Sequence, residues 1–293
     1  MYYRRLPKFE YLAPGSVEEA CSLLQQHKGE ARVMAGGTIV ISRMKDRVGV
    51  RKYLIGLKTI PDLDYITFDE SLGLRIGTMA SLQSIGDSLA VKERFEPLAT
   101  ACAGLGTPQI RNMGTIGGNL CCRFPTAEVV PPLIALGAEA KIAASGGGRT
   151  VTVENLYKEL KEPELVTEIH VPTLPPSSWG VYQKYTIREG MDYATVSVAV
   201  VMTLDNGVCQ DVRIALGGVA TTSVRAREAE EITKQKTVTD SVIAEAARVA
   251  SEGAQTVSDI YFSAEYKKEL IKILTQRTIK QTWEKLTKEE VTS

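Results

Sequence analysis

Two short segments of this 293-residue chain combine paired glycines with hydroxyl and amide side chains, a composition that suits contact with a phosphate. The first is Ala35-Gly-Gly-Thr38, and the second is Thr115-Ile-Gly-Gly-Asn119, within the stretch Gly104–Leu120. Paired glycines let the backbone approach a neighbouring group closely or adopt a positive φ angle. Backbone N–H groups and hydroxyls can together satisfy a pyrophosphate without a lysine. Taken singly, each segment is at least as well explained by a structural tight turn.

Neither segment matches the commonest nucleotide-binding signatures. No Gly-Lys-Ser or Gly-Lys-Thr follows either glycine pair, so triphosphate hydrolysis at a P-loop is not indicated. Neither segment is a Gly-x-Gly-x-x-Gly fingerprint, so an ordinary Rossmann dinucleotide site is not indicated either. Ser145-Gly-Gly-Gly148 lies between two alternating strand patterns, which indicates a hairpin turn. The anion-binding interpretation therefore rests on the two segments together.

Cysteines and histidines give little support to metal or nucleophilic chemistry. The five cysteines form no Cys-x-x-Cys pattern and are predicted to be reduced thiols. The adjacent pair Cys121-Cys122 is interpreted as small residues beside the second segment rather than as a redox site. With only His27 and His170, a histidine zinc site or a Ser–His–Asp triad is poorly supported. The sequence therefore predicts no catalytic residues and no metal site in this chain.

The first segment lies in a predicted unit of alternating strands and helices. Ser16-Val-Glu-Glu19 has the form of a capping box and predicts the start of a helix. A strand over Ala31–Met34 leads into the first segment, and a helix over Ile39–Lys45 follows it with Thr38 as the N-cap. A second strand covers Tyr53–Gly56. Together these patterns predict a small β-α-β-α-β unit.

Further strands and helices follow on both sides of Pro172–Ser178, which is the best candidate linker because it is proline-rich and has no periodicity. Before this linker the patterns predict strands over Tyr65–Phe68, Leu74–Ile76, Ala138–Ala143, Arg149–Val153 and Leu165–Val171, and helices from Ser81 and over Glu96–Ala103. The apolar run Val129–Leu136 could be a helix or a buried strand, and Pro131-Pro132 near its start favours a helix. After it they predict strands over Gly180–Ile187, Thr195–Leu204 and Val208–Leu216, then helices over Arg225–Lys234, Asp240–Glu252 and Ala264–Lys285. The chain is therefore predicted to be α+β.

Composition and charge exclude several classes of partner. Lys and Arg together number 35, as do Asp and Glu, so the chain has no global field to attract nucleic acid or an anionic membrane. The N-terminus lacks the apolar region of a secretory signal, and no stretch is long and apolar enough to cross a bilayer. The sequence therefore predicts a cytoplasmic protein that binds no nucleic acid and does not insert in a membrane.

Three motifs together resemble a single family. They are Ala35-Gly-Gly-Thr38, Gln109-Ile-Arg-Asn-Met-Gly-Thr-Ile-Gly-Gly-Asn119 and the run Tyr182–Val196. Their order and the chain length are similar to those of the FAD-binding medium subunit of the molybdenum hydroxylases, the family of xanthine dehydrogenase and carbon monoxide dehydrogenase. The resemblance covers nearly the whole chain, and residues 109–119 are its most specific part.

The resemblance implies an α+β fold divided into three parts. Two subdomains of the vanillyl-alcohol-oxidase (PCMH) type would hold FAD between them, and a smaller α+β domain of the CO dehydrogenase flavoprotein C-terminal type would follow. Residues 1–57 would form the first subdomain, residues 58–177 the second, and residues 178–293 the C-terminal domain.

The resemblance also implies which residues hold FAD. Ile116 would lie against the ring system, Leu165 would make an apolar contact, and Lys184 matches a flavin-contacting lysine. The full predicted set comprises Val33, Met34, Ala35, Gly36, Gly37, Thr38, Ile39, Thr115, Ile116, Gly117, Gly118, Asn119, Glu128, Leu165 and Lys184. A chain with Gly117→Val is accordingly expected to fold without binding FAD.

Two positions depart from the family pattern. Ile39 stands where relatives usually have an acidic residue, and Glu128 stands in place of an Asp, which makes that side chain one methylene longer. The chain has no cysteine-rich insertion of the kind that holds an iron–sulfur cluster in some relatives, so none is predicted here.

Several polar residues of the motifs are predicted to be structural rather than cofactor-binding. Arg111 and Asn112 are expected to fix their loop through hydrogen bonds to backbone. Arg188 and Asp192 are expected to form an ion pair.

The resemblance implies an electron-transfer role for the chain. It would accept electrons from the [2Fe-2S] clusters of a small partner subunit and pass them to NAD+ or another acceptor. A large partner subunit with a molybdenum cofactor would oxidise the substrate, within a dimer of heterotrimers. A self-contained flavin oxidoreductase on the same fold, and a flavin-free scaffold subunit with purely structural loops, are the alternatives.

Overall fold

The N-terminal part of the chain forms a small parallel sheet of three strands in the order β1-β3-β2. This computed structural model describes residues 5–188, 190–219 and 222–292, with side chains described through Lys288. The elements around the sheet are β1 (Glu10–Leu12), α1 (Val17–Gln26), β2 (Ala31–Met34), α2 (Val40–Lys45) and β3 (Tyr53–Gly56). The predicted capping box begins α1, because the Ser16 hydroxyl accepts a hydrogen bond from the Glu19 amide at 3.1 Å.

The middle of the chain forms a five-stranded antiparallel sheet in the order β4-β5-β8-β6-β7. Its strands are β4 (Ile66–Asp69), β5 (Gly73–Gly77), β6 (Glu139–Ala144), β7 (Gly147–Thr152) and β8 (Leu165–Val171). Seven helices accompany it: α3 (Leu82–Asp87), α4 (Leu89–Arg94), α5 (Glu96–Gly104), α6 (Pro108–Met113), α7 (Ile116–Cys121), α8 (Val130–Ala135) and α9 (Leu156–Glu159). The largest hydrophobic core lies between this sheet and its helices.

The last part of the chain forms a four-stranded antiparallel sheet in the order β12-β11-β10-β9. Its elements are β9 (Ser178–Tyr185), β10 (Val196–Asp205), β11 (Val208–Gly217), β12 (Val224–Arg225), α10 (Arg227–Thr233), α11 (Asp240–Gly253) and α12 (Ala264–Thr292). Helix α12 packs against α11 and against strands β9 and β10.

Strand β10 is buried on both faces, and this joins the last sheet to the middle of the chain. Side chains alternate between the two sides of a strand. Val198 and Val200 therefore belong to the core beneath α11 and α12, whereas Ala199 and Val201 belong to the large core of the middle sheet. Helix α8 covers that second side by packing on β10 and β11.

The α+β class and the predicted strands and helices are confirmed, with small shifts at their ends. The N-cap of α2 is Ile39, and the Thr38 side chain makes no capping bond, so the prediction of Thr38 as the N-cap is wrong. Strand β1 was given no residue range from the sequence, because its three residues are too few to show an alternating pattern. The divisions after residues 57 and 177 stay predictions.

Gly104–Leu120 is helical over much of its length. Thr107 begins α6 and Thr115 begins α7, each through a hydroxyl that accepts a backbone N–H. The second glycine pair therefore lies inside the first turn of a helix, not in a loop between a strand and a helix. Residues 1–4, Ser293 and Glu189 of the third motif lie outside the described residues.

Candidate cofactor site

The structure brings the two glycine segments into direct contact. A Cβ atom on Gly36 would lie 1.7 Å from the carbonyl oxygen of Met113, so only glycine allows this approach. A Cβ atom on Gly118 would lie 3.6 Å from the Cβ of Ala35, which is ordinary contact. The predicted residues of both segments therefore lie side by side, although about 80 positions separate them in the sequence.

The first segment presents a run of backbone donors that bond to none of the described residues. The amides of Gly36, Gly37, Thr38 and Ile39 donate no hydrogen bond to any residue that the structure describes, and neither does the Thr38 hydroxyl. Gly37 has a φ of +75°, which turns the backbone sharply after β2. Consecutive free amides beside a hydroxyl form a concave set of donors that suits an anion, so the residues present fit a pyrophosphate group.

The backbone amides of the second segment donate to acceptors within the protein. Ile116 donates to Ala80 at 3.1 Å, Gly117 donates to Thr78 at 3.0 Å, and the Gly118 amide donates to the Thr115 hydroxyl. The anion-binding donors therefore belong to the first segment, and the second segment supplies a close backbone surface beside it.

Gly117 is required by packing against the protein itself. A Cβ atom there would lie 1.7 Å from the Thr78 hydroxyl oxygen and 2.9 Å from the Thr78 carbonyl oxygen. A valine at this position must push α7 away from Thr78, the residue after β5, so loss of folded structure is expected together with any loss of FAD. The expectation that Gly117→Val folds normally is therefore wrong, and the close approach to Thr78 had no signal in the sequence.

Two predicted apolar contacts lie in the protein core. Ile116 is fully buried in the large core of the middle sheet, and Leu165 is buried against α1 and β3. Met34 and Val33 are half-buried at the end of β2, with the Met34 sulfur against Gly37. The structure thus places Ile116 and Leu165 away from the exposed surface of the glycine segments.

Lys184 and Glu128 form an ion pair in a buried corner of the chain. The Lys184 ammonium lies 2.6 Å from the Glu128 carboxylate and donates a second bond to the Gly104 carbonyl at 2.8 Å. Glu128 is 1% exposed and Lys184 is 19% exposed. Burial raises the pKa of the Glu128 carboxyl to about 7, although the Lys184 ammonium and the Ala194 backbone act in the opposite direction.

Asn119 connects this ion pair to the glycine segments. Its side-chain oxygen accepts a hydrogen bond from the Val129 amide at 3.4 Å, and Val129 is the residue after Glu128. Asn119 therefore ties the end of α7 to the start of α8. The predicted residues at the glycine segments, Glu128 and Lys184 accordingly belong to one connected region of the structure.

The hydrogen bonds to backbone and the ion pair predicted for four motif residues are confirmed. Arg111 donates to the Leu105 and Gly106 carbonyls at 3.2 and 3.4 Å, and Asn112 donates to the Pro108 carbonyl at 2.8 Å. The Arg188 guanidinium and the Asp192 carboxylate lie 3.4 Å apart.

The tyrosines beside Lys184 pack in two different places. Tyr182 lies in the large core of the middle sheet. Tyr185 instead meets Phe262 edge to face, with ring centroids 6.1 Å apart. Neither ring belongs to the glycine segments.

Within the described part of the chain, no group of three or more His, Cys, Asp or Glu side chains could hold a metal ion. The search of the described residues also finds no helix long and apolar enough to cross a membrane.

Two families match the chain in succession. The family described as "FAD binding domain in molybdopterin dehydrogenase" matches residues 7–174. The family described as "CO dehydrogenase flavoprotein C-terminal domain" matches residues 181–282. Nearly the whole chain is thereby similar to flavoprotein subunits.

Individual relatives are similar over almost their entire lengths. The chain is 31% identical to the 6-hydroxypseudooxynicotine dehydrogenase complex subunit alpha of Paenarthrobacter nicotinovorans, over 93% of this chain and 94% of that protein. It is 32% identical to the carbon monoxide dehydrogenase medium chain of Hydrogenophaga pseudoflava, over 94% and 98% of the two chains.

A solved structure agrees with this similarity. Carbon monoxide dehydrogenase from Hydrogenophaga pseudoflava, described as lacking the Mo-pyranopterin moiety of the molybdenum cofactor, matches with a TM-score of 0.92 and 33% identity. The match covers 95% of this chain and 98% of that chain. The fold, the two family matches and these relatives confirm the resemblance, and the chain belongs to the family of FAD-binding medium subunits of the molybdenum hydroxylases.

Proposed function

We propose that this chain is an electron-transfer subunit, which binds FAD at the contact of the two glycine segments and relays electrons between protein partners and a final acceptor. The observation that carries the proposal is the set of free amides from Gly36 to Ile39 beside the Thr38 hydroxyl. Such a set suits the pyrophosphate of a dinucleotide, because each amide can donate to a phosphate oxygen without a competing intramolecular bond.

The proposed FAD-binding residues are those that the motifs indicate. The first segment and its flanks would surround the pyrophosphate, the second segment would support it, and the ion pair of Glu128 and Lys184 would set the local charge. The complete proposed set is Val33, Met34, Ala35, Gly36, Gly37, Thr38, Ile39, Thr115, Ile116, Gly117, Gly118, Asn119, Glu128, Leu165 and Lys184. For Ile116 and Leu165, whose side chains are buried, the proposed contribution is to shape the core behind the site.

FAD supplies the redox chemistry when bound, since it can accept and return electrons one or two at a time. The protein supplies position and charge. A cation such as Lys184 near a bound flavin favours the reduced, more negative form. No pair of side chains at the glycine segments is arranged for acid–base attack on an organic substrate, which favours a relay over a self-contained oxidoreductase.

The proposed partners follow from the relatives, which are named as a complex subunit and a medium chain. They are a small subunit with [2Fe-2S] clusters as electron donor and a large subunit with a molybdenum cofactor, in a dimer of heterotrimers in the cytoplasm. The proposed acceptor is NAD+ or another oxidant. Within the chain, residues 1–57 and 58–177 are the two proposed FAD-binding subdomains, and residues 178–293 the C-terminal domain.

The visible spectrum of the purified full chain tests the FAD site. Flavin absorbance after purification or after addition of FAD is expected, and a chain that binds no FAD under either condition would refute it. Copurification with iron and molybdenum tests the partners. If the chain instead purifies alone and oxidises an organic substrate by itself, the self-contained oxidoreductase is the correct function.

A further inference from the structure

The ion pair of Lys184 and Glu128 joins three parts of the chain that are distant in sequence. Lys184 lies at the end of β9, Glu128 precedes α8, and the Gly104 carbonyl that Lys184 also contacts ends α5. The ammonium is thus held by two oxygens at 2.6 and 2.8 Å, one charged and one neutral. Movement of Lys184 toward or away from a bound cofactor therefore requires a change at Glu128.

Glu128 is better placed to act on Lys184 than on a cofactor directly. Its side chain is 1% exposed, whereas the Lys184 side chain is 19% exposed. A bound ligand can therefore contact part of the Lys184 side chain but has almost no surface of the Glu128 side chain to contact. Glu128 would therefore act on a cofactor through Lys184 and not by direct contact.

We propose that Glu128 is a positioning residue that holds Lys184 against the Gly104 carbonyl and, by binding or releasing one proton, sets the net charge of the pair facing the FAD site. When the carboxylate is ionised the pair is neutral, and when it takes one proton from solvent the pair carries one positive charge. This inference rests on the proposed FAD site, because the charge matters only if a redox cofactor lies within its field.

The surroundings of Glu128 favour such proton exchange near neutral pH. Burial raises the pKa of its carboxyl to about 7. The groups that face it are the Lys184 ammonium and the Tyr182 hydroxyl from β9, the Cys102 thiol from α5 and the Asp192 carboxylate from the segment before β10. Lys184 is the only cation among them, and Asp192 opposes ionisation of Glu128.

Reduction of a cofactor brings negative charge to the site, which raises the affinity of Glu128 for a proton. Each proton bound there offsets part of that charge. The reduction potential of the bound FAD should therefore fall more steeply with rising pH around neutrality than it does without this carboxylate. Electrons come from the partner or from a chemical reductant, and the proton comes from solvent.

The test measures the midpoint potential of FAD bound to the full chain, by redox titration at a series of pH values from 5.5 to 9. In Glu128→Gln the steeper fall of the potential near neutral pH should disappear. At alkaline pH the potential of this variant should exceed that of the unsubstituted chain, because no carboxylate then offsets the charge of Lys184. In Lys184→Gln the steeper region of the potential-against-pH curve should remain but extend to higher pH, since the cation that favours ionised Glu128 is gone.

Glu96→Gln is the matched control. Glu96 also accepts from a lysine, Lys285 at 2.5 Å, but it lies at the opposite end of α5 from Gly104, about 12 Å away along the helix axis. The potential-against-pH curve of Glu96→Gln should match that of the unsubstituted chain.

Superposable potential-against-pH curves for Glu128→Gln and the unsubstituted chain would overturn the inference while leaving FAD binding intact. If Glu128→Gln fails to fold, the Lys184→Gln variant decides: a slope change at the same pH as in the unsubstituted chain would overturn the inference. Absence of bound FAD in the unsubstituted chain would instead refute the proposed function, and the inference with it.

Discussion

Gly36 and Met113 meet backbone to backbone, with the Cβ position of Gly36 only 1.7 Å from the Met113 carbonyl oxygen. The contact holds the free amides of the first segment against the end of α6 and the start of α7. A methyl group at Gly36 must push the two segments apart, because the atom it meets is backbone and cannot rotate away.

Gly36→Ala should therefore weaken both folding and FAD binding. Overpacking of this kind costs about 1–3 kcal/mol of unfolding free energy. Urea unfolding of the FAD-free chain measures the first effect and flavin fluorescence titration the second. Gly253→Ala is the control, since nothing lies within 4 Å of its Cβ position. Unchanged stability of Gly36→Ala would contradict the observed packing.

Thr38→Val should separate ligand binding from folding. The Thr38 side chain caps no helix and bonds to no described residue, so its removal should change the unfolding free energy by less than about 0.5 kcal/mol. If the hydroxyl donates to a phosphate oxygen, FAD affinity should fall by about tenfold or more, as expected for loss of a bond to a charged group. Ser16→Ala gives the opposite pattern, because the lost cap of α1 costs about 1 kcal/mol without touching the glycine segments. Unaltered affinity of Thr38→Val would exclude the hydroxyl from the site.

Arg111→Met should loosen the turn before the second segment. Arg111 donates to two carbonyls and to Gln83 at 2.8 Å, so its loss leaves partly buried acceptors without partners. The expected cost is about 1–3 kcal/mol in urea unfolding. The neighbouring Asn112 bonds only within its own helix at an exposed position, so Asn112→Ala is the control and should change little. Equal effects of the two substitutions would argue against a special role for Arg111.

Glu128 should make the FAD-free chain less stable as the pH rises from about 4.5 to about 7. Its pKa is raised by burial from an ordinary 4.5 to about 7, so the folded chain binds a proton that the unfolded chain releases. Stability from this proton is fully present below pH 4.5 and is lost as the pH passes 7, by up to about 3 kcal/mol.

Urea unfolding across pH 4.5–8 measures this loss as a difference between chains. Subtracting the curve of Glu128→Gln from that of the unsubstituted chain should isolate it, while Glu96→Gln should leave the dependence in place. A flat difference across this range would show that Glu128 does not titrate there.

The sequence by itself determined the α+β class, most of the strands and helices, and the family. Strand and helix periodicity in residues 165–171 or 240–252 survives in the structure because one face of each element is buried, and burial imposes the repeat. The motif at 109–119 identified the family because its three glycines and one threonine stand in the order of the family's motif, and the close contact at Gly117 leaves no room for a side chain. The same local pattern could not tell a cofactor contact from a protein contact.

Only the tertiary structure decided which glycines face which neighbours. Gly117 and Gly36 look alike in the sequence, yet Gly117 is pressed against Thr78, the residue after β5, and Gly36 against Met113. Both contacts join residues far apart in the chain, and no local propensity encodes them. The pairing of Glu128 with Lys184 is of the same kind, because 56 positions separate them and tertiary folding brings β9 beside the segment before α8, with their charged groups 2.6 Å apart. The low dielectric of that buried corner, absent from the extended chain, gives the pair its altered protonation.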